Sequence, residues 1–155
     1  MADEVLFDLL HLELVCTYAA SSEECKEFDV SKLETIGFCT GYRLVERLTR
    51  EWARFKDELD IMKFICKDFW SSVFKKEINN LRTNNHGVYV LHDNAFRFLT
   101  KVTNSNQFLS STPKYLAFTC GLVRGALMNL GITSVVTADV SAPPSCKFQV
   151  VAQRL

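Results

Sequence analysis

The sequence has no excess of charge of either sign, no long apolar run and few histidines. Its 18 basic and 18 acidic residues cancel, which argues against a dedicated nucleic-acid binder, because such proteins need a basic excess to displace counterions. No window approaches the ~18 uninterrupted apolar residues of a membrane-spanning helix. The acidic start, Met1 to Glu4, lacks the positive region of a signal peptide. We therefore expect a cytoplasmic chain.

Catalytic and metal-binding motifs are also missing. The six cysteines, at 16, 25, 39, 66, 120 and 146, have neither zinc-knuckle nor thioredoxin spacing, and we interpret them as reduced core thiols. The sequence contains neither a phosphate-binding loop nor a nucleophile elbow. We expect no catalysis, no metal and no cofactor. A cysteine-dependent enzyme would require an exposed thiol beside a histidine, from Cys16, Cys39, Cys66 or Cys120.

The composition is that of a globular protein, with 48% hydrophobic and 23% charged residues in 155. This length predicts one domain, which we assign to residues 1–155. The charge is unevenly distributed, because residues 1–36 carry nine acids and two bases, whereas residues 83–155 carry six bases and two acids. The imbalance indicates either a charged contact surface or a solvated first helix.

The first predicted helix, from about Asp3 to Tyr18, is apolar around most of its circumference. Only Glu4, Asp8 and His11 form a polar stripe. A surface helix normally has an apolar stripe of little more than 100°. We therefore predict that this helix is covered on two sides, by its own fold or by a second subunit.

The second predicted helix opens at Ser31, capped together with Glu34, and continues to about Arg54. Glycine costs about 1 kcal/mol in a helix interior, so Gly37 and Gly41 on the apolar stripe indicate the close approach of another backbone. An adjacent flank is a possible basic contact strip for an acidic partner or anionic lipid, with a solvated face as the alternative. The strip consists of Arg43, Arg47, Arg50 and Arg54.

The remaining pattern predicts two further helices and four strands. We expect a loop at 19–30, helices from about Asp57 to Leu81 and from about Pro113 to Leu130, and two hairpins. The strands of these hairpins are expected at 88–91 with 96–99, and at 134–140 with 146–153. This order predicts an α+β fold with a small four-stranded antiparallel sheet.

Several stretches resemble the small subunits of the transport protein particle (TRAPP) family. These stretches are Leu33 to Leu48, Leu116 to Leu127, Ala53 to Trp70 and Cys146 to Val150. The last two are similar to the sixth small-subunit type, and the similarity extends from about residue 3 to the C-terminus. The resemblance implies an α/β plait, in which four main helices pack on one side of the antiparallel sheet.

The resemblance also implies a function as a non-catalytic structural subunit of a vesicle-tethering complex. That complex exchanges nucleotide on a Rab-type GTPase and acts in ER-to-Golgi and Golgi transport, peripherally on ER and cis-Golgi membranes. This subunit type pairs with the acylated small subunit through its first two helices and contacts other TRAPP subunits; the isolated chain could form a homodimer. The implied interface residues are Leu6, Leu10, Leu14, Leu33, Ile36, Gly37, Gly41, Leu44 and Leu48.

One position departs from the acylated subunit of the family. That subunit carries a reactive cysteine at the start of its third helix, whereas this chain has Arg54, Phe55 and Lys56 there. Covalent acylation at this position is therefore not expected. The alternative function is a small domain that binds an acyl chain or lipid, which would require an internal cavity in place of a filled core.

Overall fold

The structure is a computed structural model that describes residues 2–20, 30–84, 86–100 and 112–153. The helices are α1 (Ala2–Ala20), α2 (Val30–Leu48), α3 (Glu58–Phe64), α4 (Trp70–Phe74), α5 (Arg97–Thr100) and α6 (Thr112–Asn129), with a π-helical turn (Ile65–Phe69) between α3 and α4. The strands are β1 (Asn80–Thr83), β2 (Val88–Asp93), β3 (Ser134–Ala142) and β4 (Ser145–Ala152). The predicted loop at 19–30 falls mostly outside the described residues.

The four strands form one antiparallel sheet in the order β1-β2-β4-β3. Along β2 and β4 alternate side chains are buried, because successive residues of a strand point to opposite faces. The helices pack on the buried face, which confirms the predicted α+β fold. The inward-facing residues of the two central strands are Tyr89, Leu91, Asp93, Cys146, Phe148 and Val150.

Helices α2 and α6 pack more closely than ordinary side chains allow. A Cβ atom added to Gly37 would lie 2.0 Å from the carbonyl oxygen of Phe118, and one added to Gly41 would lie 2.0 Å from that of Leu122. The contact is reciprocal, since Gly121 and Gly125 of α6 meet the backbone of α2 in the same way. The close backbone approach predicted from the glycine pair is thus confirmed.

The core lies between the sheet, α6 and the continuous helical segment that α3, the π-helical turn and α4 form. Asp57 caps this segment by accepting a hydrogen bond from the backbone N–H of Asp60 at 2.7 Å. Buried aromatic rings fill the space in front of β4 at centroid distances of 4.6 to 6.2 Å. The rings are those of Trp70, Phe74, Phe96 and Phe148.

The third helix ends earlier than the sequence predicted. The segment stops at Phe74, because Lys75 adopts a left-handed conformation with φ of 58°. The side chain of Lys76 then forms an ion pair with the buried carboxylate of Asp93. Residues 80–83, of which only the first two were expected in the helix, form edge strand β1 against β2.

The strand predicted at 96–99 is wrong, since these residues belong to a short helical turn. The backbone N–H groups of Leu99 and Thr100 both donate to the carbonyl oxygen of Phe96. A strand would turn Phe98 and Leu99 toward opposite faces, whereas both are buried here. The partner strand of β2 in the first hairpin is therefore β1.

Two predicted bounds of α2 also change. The helix already includes Val30, so Ser31 lies inside it, and Glu34 forms a salt bridge with Arg124 of α6 at 3.3 Å. The helix ends at Leu48. The backbone then turns, with the N–H of Trp52 donating to the carbonyl of Thr49 at 3.0 Å.

Candidate interaction surface

Helix α1 turns its narrow polar stripe toward the rest of the chain. Arg97, at the start of α5, binds Asp8 through two hydrogen bonds of 2.7 and 3.1 Å and donates a third, of 2.9 Å, to the carbonyl of Glu4. The side chains of Arg97 and Asp8 are both largely buried, so solvent and salt screen this bidentate ion pair much less than a surface pair. It fixes the rotation of α1 about its axis.

His11, the third residue of the polar stripe, is buried against aromatic rings. Its ring stacks on Phe98 at a centroid distance of 3.6 Å and meets Phe118 edge-on at 5.6 Å. The side chain is only 3% exposed. Burial lowers the pKa of His11 to about 4, with Asp8 opposing the shift, so the imidazole is neutral near pH 7.

The opposite face of α1 exposes apolar side chains to solvent. Leu6 is 69% exposed and Leu10 is 58% exposed, and three further apolar residues of the same helix are comparably open. Glu13 and Cys16 continue the exposed face one turn later. Soluble chains rarely expose a contiguous apolar face of this kind without a partner. We call this surface the α1 face: Val5, Leu6, Leu9, Leu10 and Leu12.

The residues that the resemblance assigned to the interface divide into three groups by their exposure in the isolated chain. Leu6 and Leu10 are exposed on the α1 face, and Leu14, Ile36, Leu44 and Leu48 are half-buried. Leu33, Gly37 and Gly41 are buried inside the chain. Within the chain, α6 occupies the groove that the two glycines create, and a contact of these three residues with a second subunit stays a prediction.

Sequence reasoning missed Val5, Leu9 and Leu12 as surface residues. The polar stripe could have identified them, because these three residues lie away from it on α1. The stripe has two carboxylates and a histidine, so it can face the body of the chain only where a cation meets it, and Arg97 is that cation. No local pattern identified Arg97, which lies in a segment predicted as a strand.

The four arginines of the basic strip are all exposed, but they do not share one helix. Arg43 and Arg47 lie on α2, while Arg50 and Arg54 follow its end at Leu48. The helical phase used to align all four therefore holds only for the first two. The other two belong to the irregular segment that connects α2 to α3.

The buried thiols are unsuited to nucleophilic catalysis. Burial raises the pKa of the Cys66 and Cys120 thiols to about 12 and raises that of Cys146 further. A cysteine nucleophile needs the opposite shift, since the thiolate is the reactive form. Cys16 and Cys39 are exposed. Within the described ranges, no cluster of potential ligands could hold a metal ion.

An open cleft lies between the N-terminal turns of α1, the C-terminal part of α2 and the end of α4. Its volume is about 240 Å³, and its lining includes Phe7, Leu44 and Val73 together with charged side chains, among them Arg97. Pockets for small molecules usually measure ≈ 300–1,000 Å³. This cleft is therefore a poor match for the alternative function as an acyl or lipid carrier.

A cluster of aromatic rings occupies the position where the resemblance implies a reactive cysteine in the acylated subunit. The ring of Phe55 lies 5.2 Å from that of Phe64, and the ring of Trp52 lies 5.0 Å from Phe64. Phe64 is part of the buried core.

Within the described ranges, every helix lacks the length or the hydropathy that spanning a bilayer requires.

The comparisons with known proteins agree with this architecture. The model of the transport protein particle (TRAPP) component family matches residues 7–153, and the chain belongs to that family. It is 59% identical to trafficking protein particle complex subunit 6B of Homo sapiens over 100% of both chains. It is 52% identical to subunit 6A of Homo sapiens, over 97% of this chain and 98% of that protein.

A solved structure shares the fold. Trafficking protein particle complex subunit 3 from Naegleria fowleri, solved covalently bound to palmitic acid, superposes with a TM-score of 0.78. The alignment covers 97% of this chain and 96% of that chain, with 14% sequence identity. The family and the sixth-subunit relatives establish a TRAPP subunit role in trafficking.

Proposed function

We propose that this chain is a non-catalytic scaffold subunit of the TRAPP tethering and Rab-exchange complex, and that it acts by pairing with the acylated small subunit. Residues 1–155 form the single domain that does this. The complex would place the chain peripherally on ER and cis-Golgi membranes. The supporting observation is the orientation of α1, whose α1 face is exposed to solvent while Asp8 and Glu4 of its polar stripe bind Arg97.

The orientation of α1 argues for a partner because the helix has more apolar side chains than the chain itself covers. Its inward side already buries Val15 and packs Phe7 and Leu14 against the core, and the contacts of Arg97 and His11 hold that side inward. The leucines of the α1 face are left exposed, although burying one leucine side chain stabilises by roughly 1.5–3 kcal/mol. A partner that covers the α1 face recovers the stabilisation, and the half-buried Ile36, Leu44 and Leu48 of α2 would extend that contact.

The acylated small subunit is the proposed partner on two grounds. The family resemblance pairs this subunit type with it, and the palmitate-bound subunit 3 from Naegleria fowleri has the same fold over nearly its whole length. This chain carries Phe55, packed at a tilt against Phe64, where the resemblance implies a reactive cysteine in the acylated subunit. The two subunits would thus form a dimer in which only the partner holds the acyl chain.

The pairing is tested by charging the α1 face. Leu6→Glu with Leu10→Glu would bury two unpaired carboxylates at the interface, so we expect binding to the acylated small subunit to weaken at least about 100-fold. The matched control is Met128→Glu with Val135→Glu, which charges two exposed apolar residues of α6 and β3. Light scattering and calorimetry of the mixed subunits give the mass and the affinity.

The two double variants separate pairing from folding. Circular dichroism should show the same helix content for both, because all four positions are exposed in the isolated chain. Undiminished affinity of the α1 variant would refute the proposed interface. Equal weakening by both variants would mean that general charge repulsion, and not the α1 face, governs association.

A further inference from the structure

Strand β3 forms a long open edge of the sheet. Its nine residues pair with β4 on one side, and it stands last in the strand order β1-β2-β4-β3. Among the residues that the structure describes, no backbone hydrogen bond joins β3 to any element other than β4. Alternate residues of an edge strand direct their N–H and C=O groups away from the sheet. This edge can therefore accept another strand.

Most sheet edges in proteins are protected against strand addition by shortness, charge, proline or a bulge. The opposite edge, β1, is only four residues long and carries Arg82. By contrast, β3 contains no proline and one charged residue, and its register shift lies near its end, between Val140 and Ala142. The regular part, residues 134–140, spans roughly 23 Å. We call this part, residues 134–140, the β3 edge.

An open pocket adjoins the β3 edge where β3 faces the first turns of α6. Its volume is about 160 Å³. A cavity of about 150 Å³ can hold a benzene molecule, so this pocket has room for a branched aliphatic side chain. Domains that bind peptides by strand addition use such pockets to read alternate side chains. The lining residues are Thr112, Pro113 and Leu116 of α6 and Ala138, Asp139 and Val140 of β3.

Asp139 adds a negative charge beside this pocket. Its side chain is exposed, and it is the only charged residue between Ile132 and Cys146. Lys147 lies opposite to it on β4, but within the described part of the chain Asp139 forms no ion pair. A basic side chain on an incoming strand would therefore meet an unpaired carboxylate.

We propose that the β3 edge binds an extended segment of a partner protein by strand addition. The backbone of the segment pairs with β3, a branched aliphatic side chain enters the pocket, and a neighbouring basic side chain meets Asp139. Adjacent residues of a strand point to opposite faces, so the segment alternates aliphatic with polar residues and has a lysine or arginine beside the aliphatic one. This inference goes beyond the pairing through the α1 face and does not depend on it.

A segment of another protein suits this edge better than a second copy of the chain or a small molecule does. The β3 strand of a second copy would bring no basic residue to Asp139, because the residues from Ser134 to Ala142 include none. A small molecule in the pocket would leave most of the outward N–H and C=O groups without partners. An extended basic segment satisfies both the backbone and the carboxylate.

The test uses the full-length chain and a dye-labelled peptide, Thr-Val-Thr-Val-Lys-Val-Thr-Val-Thr. The order of its residues is the same from either end, so parallel and antiparallel pairing present the same side chains. We expect binding with a Kd below about 1 mM by fluorescence anisotropy, together with slower hydrogen exchange at alternate amides of the β3 edge. The control peptide has proline in place of the two central valines and should not bind, because proline cannot complete the ladder.

Two pairs of variants locate the site. Ala138→Leu fills the pocket and should weaken peptide binding at least about tenfold. Its matched control, Ala142→Leu, makes the same change at an exposed position of β3 outside the pocket and should stay within about twofold. Asp139→Lys should weaken binding about fivefold, whereas Glu77→Lys, at an exposed acid before β1, should not. A peptide with glutamate in place of lysine should regain affinity for the Asp139→Lys chain.

Four results would overturn the proposal. These are absence of binding at about 1 mM peptide, equal binding of the proline peptide, unchanged exchange of the β3 amides in the complex, and equal weakening by Ala138→Leu and Ala142→Leu. A doubled mass of the isolated chain that Ala138→Leu abolished would assign the β3 edge to a second copy instead. Circular dichroism of each variant guards against misfolding, and the exchange measurement on the unaltered chain requires no variant.

Discussion

Replacing Gly37 by alanine is expected to destabilise the chain by about 2 kcal/mol, even though alanine is the better helix former. The new Cβ would lie 2.0 Å from the carbonyl oxygen of Phe118 and 3.0 Å from the backbone nitrogen of Leu122. A carbon and an oxygen atom in contact normally lie about 3.3–3.6 Å apart. The two helices would therefore have to separate by more than about 1 Å.

The magnitude follows from two opposing effects. Overpacking a core typically costs about 1–3 kcal/mol, and the upper end applies because the obstacle is the backbone of α6 and no rotamer change relieves it. Helix propensity returns about 1 kcal/mol on replacing glycine by alanine. For a domain of this size, a net loss of about 2 kcal/mol corresponds to a fall in Tm of roughly 4–8 °C.

Urea unfolding of the isolated chain, followed by circular dichroism, measures the difference. The control is Thr40→Ala, on the exposed side of the same helix, where the hydroxyl donates only to the carbonyl of Ile36. We expect this control to be neutral or slightly stabilising. A Gly37→Ala chain that gained stability, as an uncontacted helical glycine would allow, would refute the close α2–α6 packing. A Gly37→Ala chain with normal stability that no longer bound its partner subunit would support the predicted place of Gly37 at the intermolecular interface.

Two further predictions concern titratable groups. The pKa of His11 falls from 6.5 to about 4 on folding, so between these two pH values the unfolded chain binds one more proton than the folded chain. The free energy of unfolding should therefore decrease as the pH drops from 6.5 toward 4, in total by on the order of 3 kcal/mol. His11→Phe should abolish this part of the pH dependence of the unfolding free energy, and an unchanged pH profile would show that another group causes it. Among the described cysteines, iodoacetamide at pH 8 should modify exposed Cys16 and Cys39 rapidly and buried Cys66, Cys120 and Cys146 only after unfolding. Mass spectrometry of the labelled peptides gives the rates, and early labelling of Cys120 would contradict the α2–α6 contact.

Most of the fold could be predicted from local pattern. The 3.6-residue periodicity located α1, α2 and α6 to within a few residues at most ends, and alternation located β2, β3 and β4. The misassigned segments are short. β1 is an edge strand of mostly exposed side chains, and α5 is a single turn in which Phe98 and Leu99 are both buried. Neither has enough residues for its period to be distinguished.

The candidate surface was only partly predictable. The sequence showed that α1 has more apolar surface than one neighbour can cover, and that Gly37 and Gly41 meet another backbone. It did not show which backbone, because a glycine pair indicates close approach without identifying the partner. α6, more than 70 residues further along the chain, supplies that partner through its own glycines.

The sequence by itself determined the α+β class and the over-wide apolar surface of the first helix, since composition and periodicity depend on neighbouring residues alone; the family was indicated by the resemblance of four stretches to known small subunits. Only the tertiary structure decided which side of that helix is free. The decision depends on Arg97 meeting Asp8 and on His11 stacking against Phe98, contacts between residues almost 90 positions apart. Such contacts leave no local periodic signal, because the chain brings their partners together only when it folds.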